Sequence, residues 1–380
     1  MTPTDSQTTS PAAVPGDHPA DSCESIAATL HGPPEIEDWL RNDDEHQLAR
    51  LWCEADRTRQ QHVGDAVHLR GLIELSNFCA RACAYCGVHR GNRDVQRYRM
   101  SREEILHSAA LAASYGYGTV VMQAGEDYGI DAGWLADIIR TIKREHGLAI
   151  TLSLGERADD EFVLWREAGA DRYLLRFETS DQALYRAIHP DLPGRLSDRL
   201  SMLRRLREIG FEIGSGVMIG LPGQSFATLA HDIALFRELD LDMIGVGPYI
   251  PHPNTALARG EATLPNVAPG DRPVPDEVMT CKVVALARLV CPDAHIPATT
   301  ALATISGAAG RTLGLSRGAN VIMPNVTPAQ YRRLYEIYPA KASSTETPES
   351  TRHTIMQQLA EIGRPVGRGA GGRSSTRRAR

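Results

Sequence analysis

From about residue 68 the chain alternates short runs of β-branched and aliphatic residues with longer stretches whose apolar positions recur every three or four residues. That alternation is the signature of βα units arranged around a parallel sheet. The strand candidates are His68–Ser76, Thr119–Ala124, Ala149–Leu154, Asp171–Phe177, Phe211–Ile219, Asp242–Pro248, His295–Thr299 and Ala319–Met323. Eight of them predict an α/β fold, a (βα)8 TIM barrel of roughly 250 residues with working groups at the C-terminal ends of its strands.

Helix signals fill the intervals. In SREEILHSAALAASYG, Ser101 and Glu104 form a capping box and Gly116 marks the end. Similar patterns occupy GWLADIIRTIKREHG, DRLSMLRRLREIG, FATLAHDIALFREL and the run from Asp276 to Val290. Two amphipathic pieces between Pro34 and Arg59 predict a helical cap in front of the first strand. A last helix starts at Thr347-Pro348-Glu349, places Ile355, Met356, Leu359 and Ile362 on one face, and closes at Gly363. The expected organisation is a disordered tail over 1–34, the capped barrel over 35–341, a C-terminal helix over 342–363 and a basic disordered tail over 364–380.

With 42% apolar and 23% charged residues in 380, the composition is that of a globular chain. A net charge of −6 gives no reason to expect a nucleic-acid partner. No apolar run of about 18 residues predicts a membrane span, and the N-terminus lacks a basic-then-apolar leader, so a cytoplasmic location is expected. Seven cysteines, three of them within eight positions, make no disulfide framework and point instead to a chemical task for the cluster of three.

Cys79, Cys83 and Cys86 stand as C-x3-C-x2-C just after the first strand. A Cys3His zinc site completed by His89 is one reading. The other is a [4Fe–4S] cluster held by three thiolates, with one iron left open to bind a cofactor. Arg176 and Glu178 alternate with Phe177, so both face one side of the fourth strand, where charges are costly unless they meet each other or a ligand. Thr151 and Ser153 share a face of the third strand, and Thr299 and Thr300 close the seventh; hydroxyls there predict a polar cavity rather than a filled core. The stretch GSGVMIGLPGQ lacks the Lys-Ser/Thr of a P-loop and the spacing of a dinucleotide fingerprint.

The triad, with Tyr85 before its last cysteine, resembles the signature of the radical S-adenosylmethionine (SAM) superfamily. That resemblance implies one [4Fe–4S] cluster on Cys79, Cys83 and Cys86, chelation of SAM at the open iron, and reductive cleavage to methionine and a 5′-deoxyadenosyl radical. Further segments, among them RGLIELSNFCARACAYCGVHRGN, VVMQAGED, TLSLGER, RYLLRFETS, GSGVMIGLPGQ, IPATTAL, GANVIMPNVTP and YEIYPAK, resemble the HydE family of [FeFe]-hydrogenase maturases from about Pro34 to Lys341.

Through this resemblance Gly125 and Glu126 match the superfamily's GE motif, Glu126 taking the SAM ammonium and Arg199 its carboxylate. Tyr85, Ser153, Glu178, Met218, Ile219 and Leu221 are further cofactor contacts, and Gln123, Thr151, Arg176, Thr299 and Thr300 line an anion-accepting substrate pocket. Tyr331, Tyr335 and Tyr338 wall the barrel mouth. The implied substrate is an iron complex carrying cysteine, CO and cyanide from the partner maturase HydG, and the implied product goes on to the GTPase scaffold HydF. A ferredoxin or flavodoxin is the implied electron donor.

The pattern departs from many family members after the YP-x-K motif. A second cysteine triad is missing from KASSTETPESTRHTIMQQ, so no accessory cluster is expected. IPHPNTA carries Asn254, Thr255 and Ala256 where Asp-Thr-Pro is expected. Cys281 and Cys291 read as buried structural thiols, Cys53 lies on an amphipathic helix, and Cys23 falls in the tail. The alternatives are a methylornithine synthase-like or biotin synthase-like enzyme, or an iron–sulfur scaffold without catalysis.

Overall fold

The computed structural model describes residues 25–341 and 346–373. The strands are β1 (His68–Ser76), β2 (Thr119–Ala124), β3 (Ala149–Ser153), β4 (Arg172–Leu174), β5 (Glu212–Ser215), β6 (Met218–Ile219), β7 (Met243–Ile244), β8 (Gly247–Pro248) and β9 (Val321–Ile322). A seven-stranded sheet runs in the order β7-β5-β4-β3-β2-β1-β9, every pair parallel, and β6 and β8 pair separately above it. The expected seventh strand, His295–Thr299, makes only single bridges, His295 opposite Met243 and Pro297 opposite Val321. Pro297 has no N–H to give a ladder. The flanking bonds from Ile244 N to His295 O at 3.0 Å and from Ala298 N to Val321 O at 2.9 Å still complete the ring.

Two expected strands are split. Phe211–Ile219 divides into β5 and β6, and Asp242–Pro248 into β7 and β8. Glycine explains the first break: a Cβ on Gly216 would run into the Gly245 carbonyl, so the backbones approach there as side chains would forbid. The fourth strand ends at Leu174, before Arg176 and Glu178, which sit in the loop that follows it.

A helix that the sequence did not announce, α1 (Ile26–Thr29), opens the described chain, and helices fill the intervals after it: α2 (Pro33–Arg41), α3 (Glu45–Val63), α4 (Arg102–Ser114), α5 (Ala132–His146), α6 (Asp159–Glu167), α7 (Gln182–Ile188), α8 (Arg199–Ile209), α9 (Phe226–Glu238) and α10 (Glu277–Val290). After them come α11 (Thr300–Ser306), α12 (Gly310–Leu315), α13 (Ala329–Arg332) and α14 (Pro348–Glu361). The capping box of α4 is present, with Glu104 N donating to Ser101 Oγ and Ser101 N to Glu104 Oε2. Among the described residues no helix is long and apolar enough to cross a membrane.

Both tail expectations need correction where the structure describes those residues. Residues 25–34 are ordered: Ile26 and Leu30 are buried, and Glu54 of α3 accepts from Ile26 N and Ala27 N, capping the helix in place of Ser25, whose own hydroxyl donates to Glu54. Residues 364–373 cross the floor of the barrel. Val366 pairs with Val67, Thr119 and Arg172 donate to Ala370 O, Arg70 donates to Gly371 O, and Arg373 reaches Asp240. The segment's glycines, read as a sign of disorder, permit this approach: a Cβ on Gly367 or Gly371 would strike the His68 ring, and from the barrel side one on Gly118 would collide with Gly369 O. Residues 1–24, 342–345 and 374–380, with Cys23, lie outside the described residues. On α14, Ile355 and Leu359 are buried but Met356 is 39% exposed, and Thr351 takes the expected inner place. Cys281 and Cys291 are buried in α10 and at its end, and Cys53 is exposed.

Candidate active site

The loop after β1 carries the three cysteines, and it is clamped from three sides. Gly87 N donates to Ile337 O, and Leu257 N to Ala84 O. A Cβ on Gly87 would strike the His252 ring and the Glu336 backbone. Asn254 donates through Nδ2 to Asp94 Oδ2 at 3.0 Å, a bond that the expected aspartate at this position has no hydrogen to make. The third clamp is Gly125, where a Cβ would sit 2.9 Å from Cys79 Cβ and overlap the Phe78 carbonyl, so this glycine lets the β2 loop touch the cysteine loop.

Cys79, Cys83 and Cys86 line one end of a cavity of about 350 Å³ that runs down the barrel axis to Arg70, Met243 and His295. Burial pushes all three thiols up, Cys86 to about 12, so they reach the thiolate state only with a cation to compensate. The donor set fits a metal cluster in kind: one buried and two half-buried thiols opening on the same cavity, and a glycine wall. His89 is committed elsewhere, its Nε2 to Asn254 O at 2.9 Å and its Nδ1 to Gly91 N, which takes away the fourth ligand of the zinc reading. Among the described residues no three His, Cys, Asp or Glu side chains converge to hold a single metal ion.

Behind the cysteine loop lies a buried ion network that the sequence reading missed. Arg81 Nε donates to Glu126 Oε1 at 2.6 Å, and its Nη2 stands 2.6 Å from Glu156 Oε2, at ion-pair distance but off the hydrogen-bond angle. Glu126 Oε1 also accepts from Tyr128 OH, and Oε2 from Glu156 N. Arg199, first residue of α8, donates to Glu156 Oε1 at 3.0 Å and to Arg176 O at 2.6 Å, and its Nη2 faces His189 Nε2 at 2.6 Å. Burial, followed by the charges of Arg199 and Arg81, lowers His189 to about 2, so it stays neutral and accepts. Only the parallel between GED after β2 and GER after β3 hinted at this pairing of Glu126 with Glu156.

Arg176 and Glu178 both face the cavity, their Nη2 and Oε2 atoms 3.0 Å apart yet not aligned for a hydrogen bond. Glu178 adopts φ of +64°, a left-handed conformation uncommon for a residue with a Cβ. Gln123, Thr151, Ser153, Thr299 and Thr300 line the same cavity, as do Tyr85, Glu126, Arg199 and Met218. Thr151 Oγ1 is buried without a partner, and Gln123 Nε2 donates to Tyr335 OH at 3.2 Å.

Two expected contacts are not brought there. Ile219 alternates away from Met218 into the main core, and Leu221 packs behind the cysteine loop with Ala84, Leu184 and Tyr249. Of the three tyrosines, Tyr335 and Tyr338 line the cavity, whereas Tyr331 stacks on Tyr98 outside it. A second unforeseen pair joins Lys341 to the fully buried Glu74 beside Tyr335, with Asn325 Nδ2 donating to Glu74 Oε2 at 3.0 Å.

Residues 73–236 match the Radical SAM superfamily. The chain is 46% identical over 322 residues to the [FeFe] hydrogenase maturase subunit HydE of Thermotoga maritima, covering 84% of this chain and 87% of that one. It is 28% identical to the 3-methylornithine synthase of Methanosarcina acetivorans over 74% of this chain and 76% of that one. Among solved structures, methylornithine synthase superposes with a TM-score of 0.72 at 22% identity, covering 90% of this chain and 98% of that chain. The hydrogenase maturase HydG superposes with a TM-score of 0.72 at 21% identity over 89% and 73%. At such identities the structural likeness speaks for the barrel alone. A cysteine triad at the mouth of a parallel barrel and a 46% identical relative spanning most of both chains together place this chain among the radical SAM enzymes, in the HydE family of [FeFe]-hydrogenase maturases.

Proposed function

We propose that this radical SAM enzyme acts in the maturation of [FeFe]-hydrogenase, on an iron complex carrying cysteine, CO and cyanide that HydG supplies and whose product passes to the scaffold HydF. The observation that carries the proposal is the single cavity with three thiols at one end and Arg176, Thr151, Thr299 and Thr300 along its walls. A [4Fe–4S] cluster bound there supplies, with an electron from a ferredoxin or flavodoxin, the cleavage of SAM into methionine and an adenosyl radical. The chain's own residues bind, orient and shield.

Cys79, Cys83 and Cys86 hold the cluster, and the loop clamps at Gly87 and Gly125 fix their spacing. The SAM ammonium goes to Glu178, whose Oε2 makes no aligned hydrogen bond within the chain and has only the ion-pair contact with Arg176 at 3.0 Å. Glu126, first expected to take it, has both oxygens engaged by protein donors and serves instead to hold Arg81 and the cysteine loop. Arg199 offers its charge to the SAM carboxylate from within the same network. Met218 and Tyr85 supply apolar surface to the nucleoside, with Ser153 beside them. On the substrate side, Arg176 offers an anion a guanidinium whose Nε makes no hydrogen bond and whose Nη2 has only the ion-pair contact with Glu178, and the threonine hydroxyls and Gln123 offer donors to cyanide or carboxylate groups. The barrel encloses the reacting atoms and keeps water from them.

The experiment is anaerobic incubation with SAM, a reductant and the HydG product, followed by spectroscopy for an adenosylated iron species. Its appearance supports the proposal. Formation of methylornithine from lysine would assign the chain to the other activity, and absence of SAM cleavage would leave a cluster scaffold.

A further inference from the structure

The chain contains a fully buried carboxylate that the cavity does not use directly. Asp232 lies on the inner side of α9, 0% exposed, among Leu229, Ala230, Ile233 and Phe236, which are also 0% exposed. Its Oδ1 accepts from Ser180 N at 2.6 Å and from Ser180 Oγ at 2.5 Å, and the Gln224 side chain is the other polar group beside the carboxyl. Burial, opposed by the Ser180 bonds, lifts its pKa to about 7. A carboxyl in such surroundings costs the fold more than an apolar side chain of the same size would, so its presence calls for a task.

The task is visible two residues along. Ser180 ends the turn that begins at Glu178, the residue held at φ +64° facing the cavity. The turn is tied on its other side, where Glu178 N donates to Gly216 O and Met218 N to Glu178 O. Gln224, 0% exposed, then holds Met218 by donating from Nε2 to its carbonyl at 3.0 Å, while its Oε1 accepts from Gly220 N. Glu178 therefore sits between two anchors, and Ser180–Asp232 is the one that fixes its C-terminal side.

We propose that Asp232 is a positioning residue for SAM: by pinning Ser180 it keeps Glu178 in the left-handed conformation from which its carboxylate meets the cofactor's ammonium. The inference rests on the assignment of Glu178 to SAM. The test uses the full-length, cluster-loaded protein and measures SAM affinity by equilibrium dialysis, the electron paramagnetic resonance change of the reduced cluster on adding SAM, and thermal stability. Asp232→Leu, which keeps the core filled, is expected to weaken SAM binding about tenfold, the scale of one lost hydrogen bond, while the melting temperature shows that the variant is folded. Asp232→Asn, which keeps an acceptor for Ser180 N–H, should lose no more than about threefold. Wild-type SAM affinity in folded Asp232→Leu would overturn the inference if Glu178→Gln weakens binding. If Glu178→Gln itself binds SAM normally, the assignment on which the inference stands has failed, and the inference with it.

Discussion

Replacing Arg81 by methionine removes a charge while nearly keeping the volume, and the surroundings of the side chain set the size of the effect. Arg81 is 1% exposed, and it stands 2.6 Å from both Glu126 Oε1 and Glu156 Oε2, whose side chains are 3% and 1% exposed. Taking away one member of such a set leaves carboxylate charge buried without its cation, a loss of about 3 to 5 kcal/mol. Arg199 compensates only in part, because it lies 3.8 Å from Glu126 and is already 3.0 Å from Glu156. At about 2 °C per kcal/mol for a chain of this size, the melting temperature of cluster-free Arg81→Met should fall by roughly 6 to 10 °C. Glu156→Gln should restore part of this in the double variant, with a coupling of about 1 to 3 kcal/mol from the full thermodynamic cycle. The assay is anaerobic thermal denaturation followed by circular dichroism for the four proteins. A shift under about 1 °C in Arg81→Met, or strictly additive effects in the pair, would refute the network as a source of stability.

Other consequences can be checked alongside. Asp232 has a folded pKa of about 7, above the usual carboxyl value, so its contribution is fully present below pH about 4 and lost as pH rises towards 7, at about 1.4 kcal/mol per pH unit; denaturant melts across this range should show that slope as the difference between wild type and Asp232→Asn. Gly125→Ala forces a Cβ to 2.9 Å from Cys79 Cβ, a strain of about 1 to 3 kcal/mol, and should bind less than half the wild-type iron on anaerobic reconstitution. Ending the chain after Gly363 removes the carbonyls that satisfy Arg70, Arg172 and Thr119, and should lower the guanidinium midpoint by an amount equivalent to about 3 kcal/mol or more; an unchanged midpoint would return this segment to a solvated tail.

Much of this was legible in the chain because periodicity is local. His68–Ser76 and Thr119–Ala124 form with the expected bounds, since their apolar runs end at turn-forming segments. The cysteine spacing, the GE dipeptide and the R-F-E alternation each singled out residues in a few adjacent letters, and the cavity gathers most of them. The hidden features depend on distant partners. Arg81 reads as an ordinary loop arginine until β2 and β3 bring Glu126 and Glu156 to it, and Glu74 meets Lys341 only after the chain has gone once around the barrel. The C-terminal RPVGRGAGGR has the composition of a solvated tail, yet its glycines are what let its backbone lie against the barrel floor. Ile219 and Leu221 came with Met218 from the family resemblance; alternation along β6 turns Ile219 into the main core, and Leu221, past the end of that strand, lies in the small cluster behind the cavity wall against which Met218 and Tyr85 pack.

The central claim is that three thiols hold an iron–sulfur cluster that cleaves SAM. The most direct measurement is the 5′-deoxyadenosine formed when anaerobically reconstituted protein is given dithionite and SAM, with iron and sulfide determined on the same sample. About four irons and four sulfides per chain with 5′-deoxyadenosine in the wild type, and no product from Cys83→Ala, is the predicted result. One zinc without sulfide, or equal product from both proteins, would contradict it.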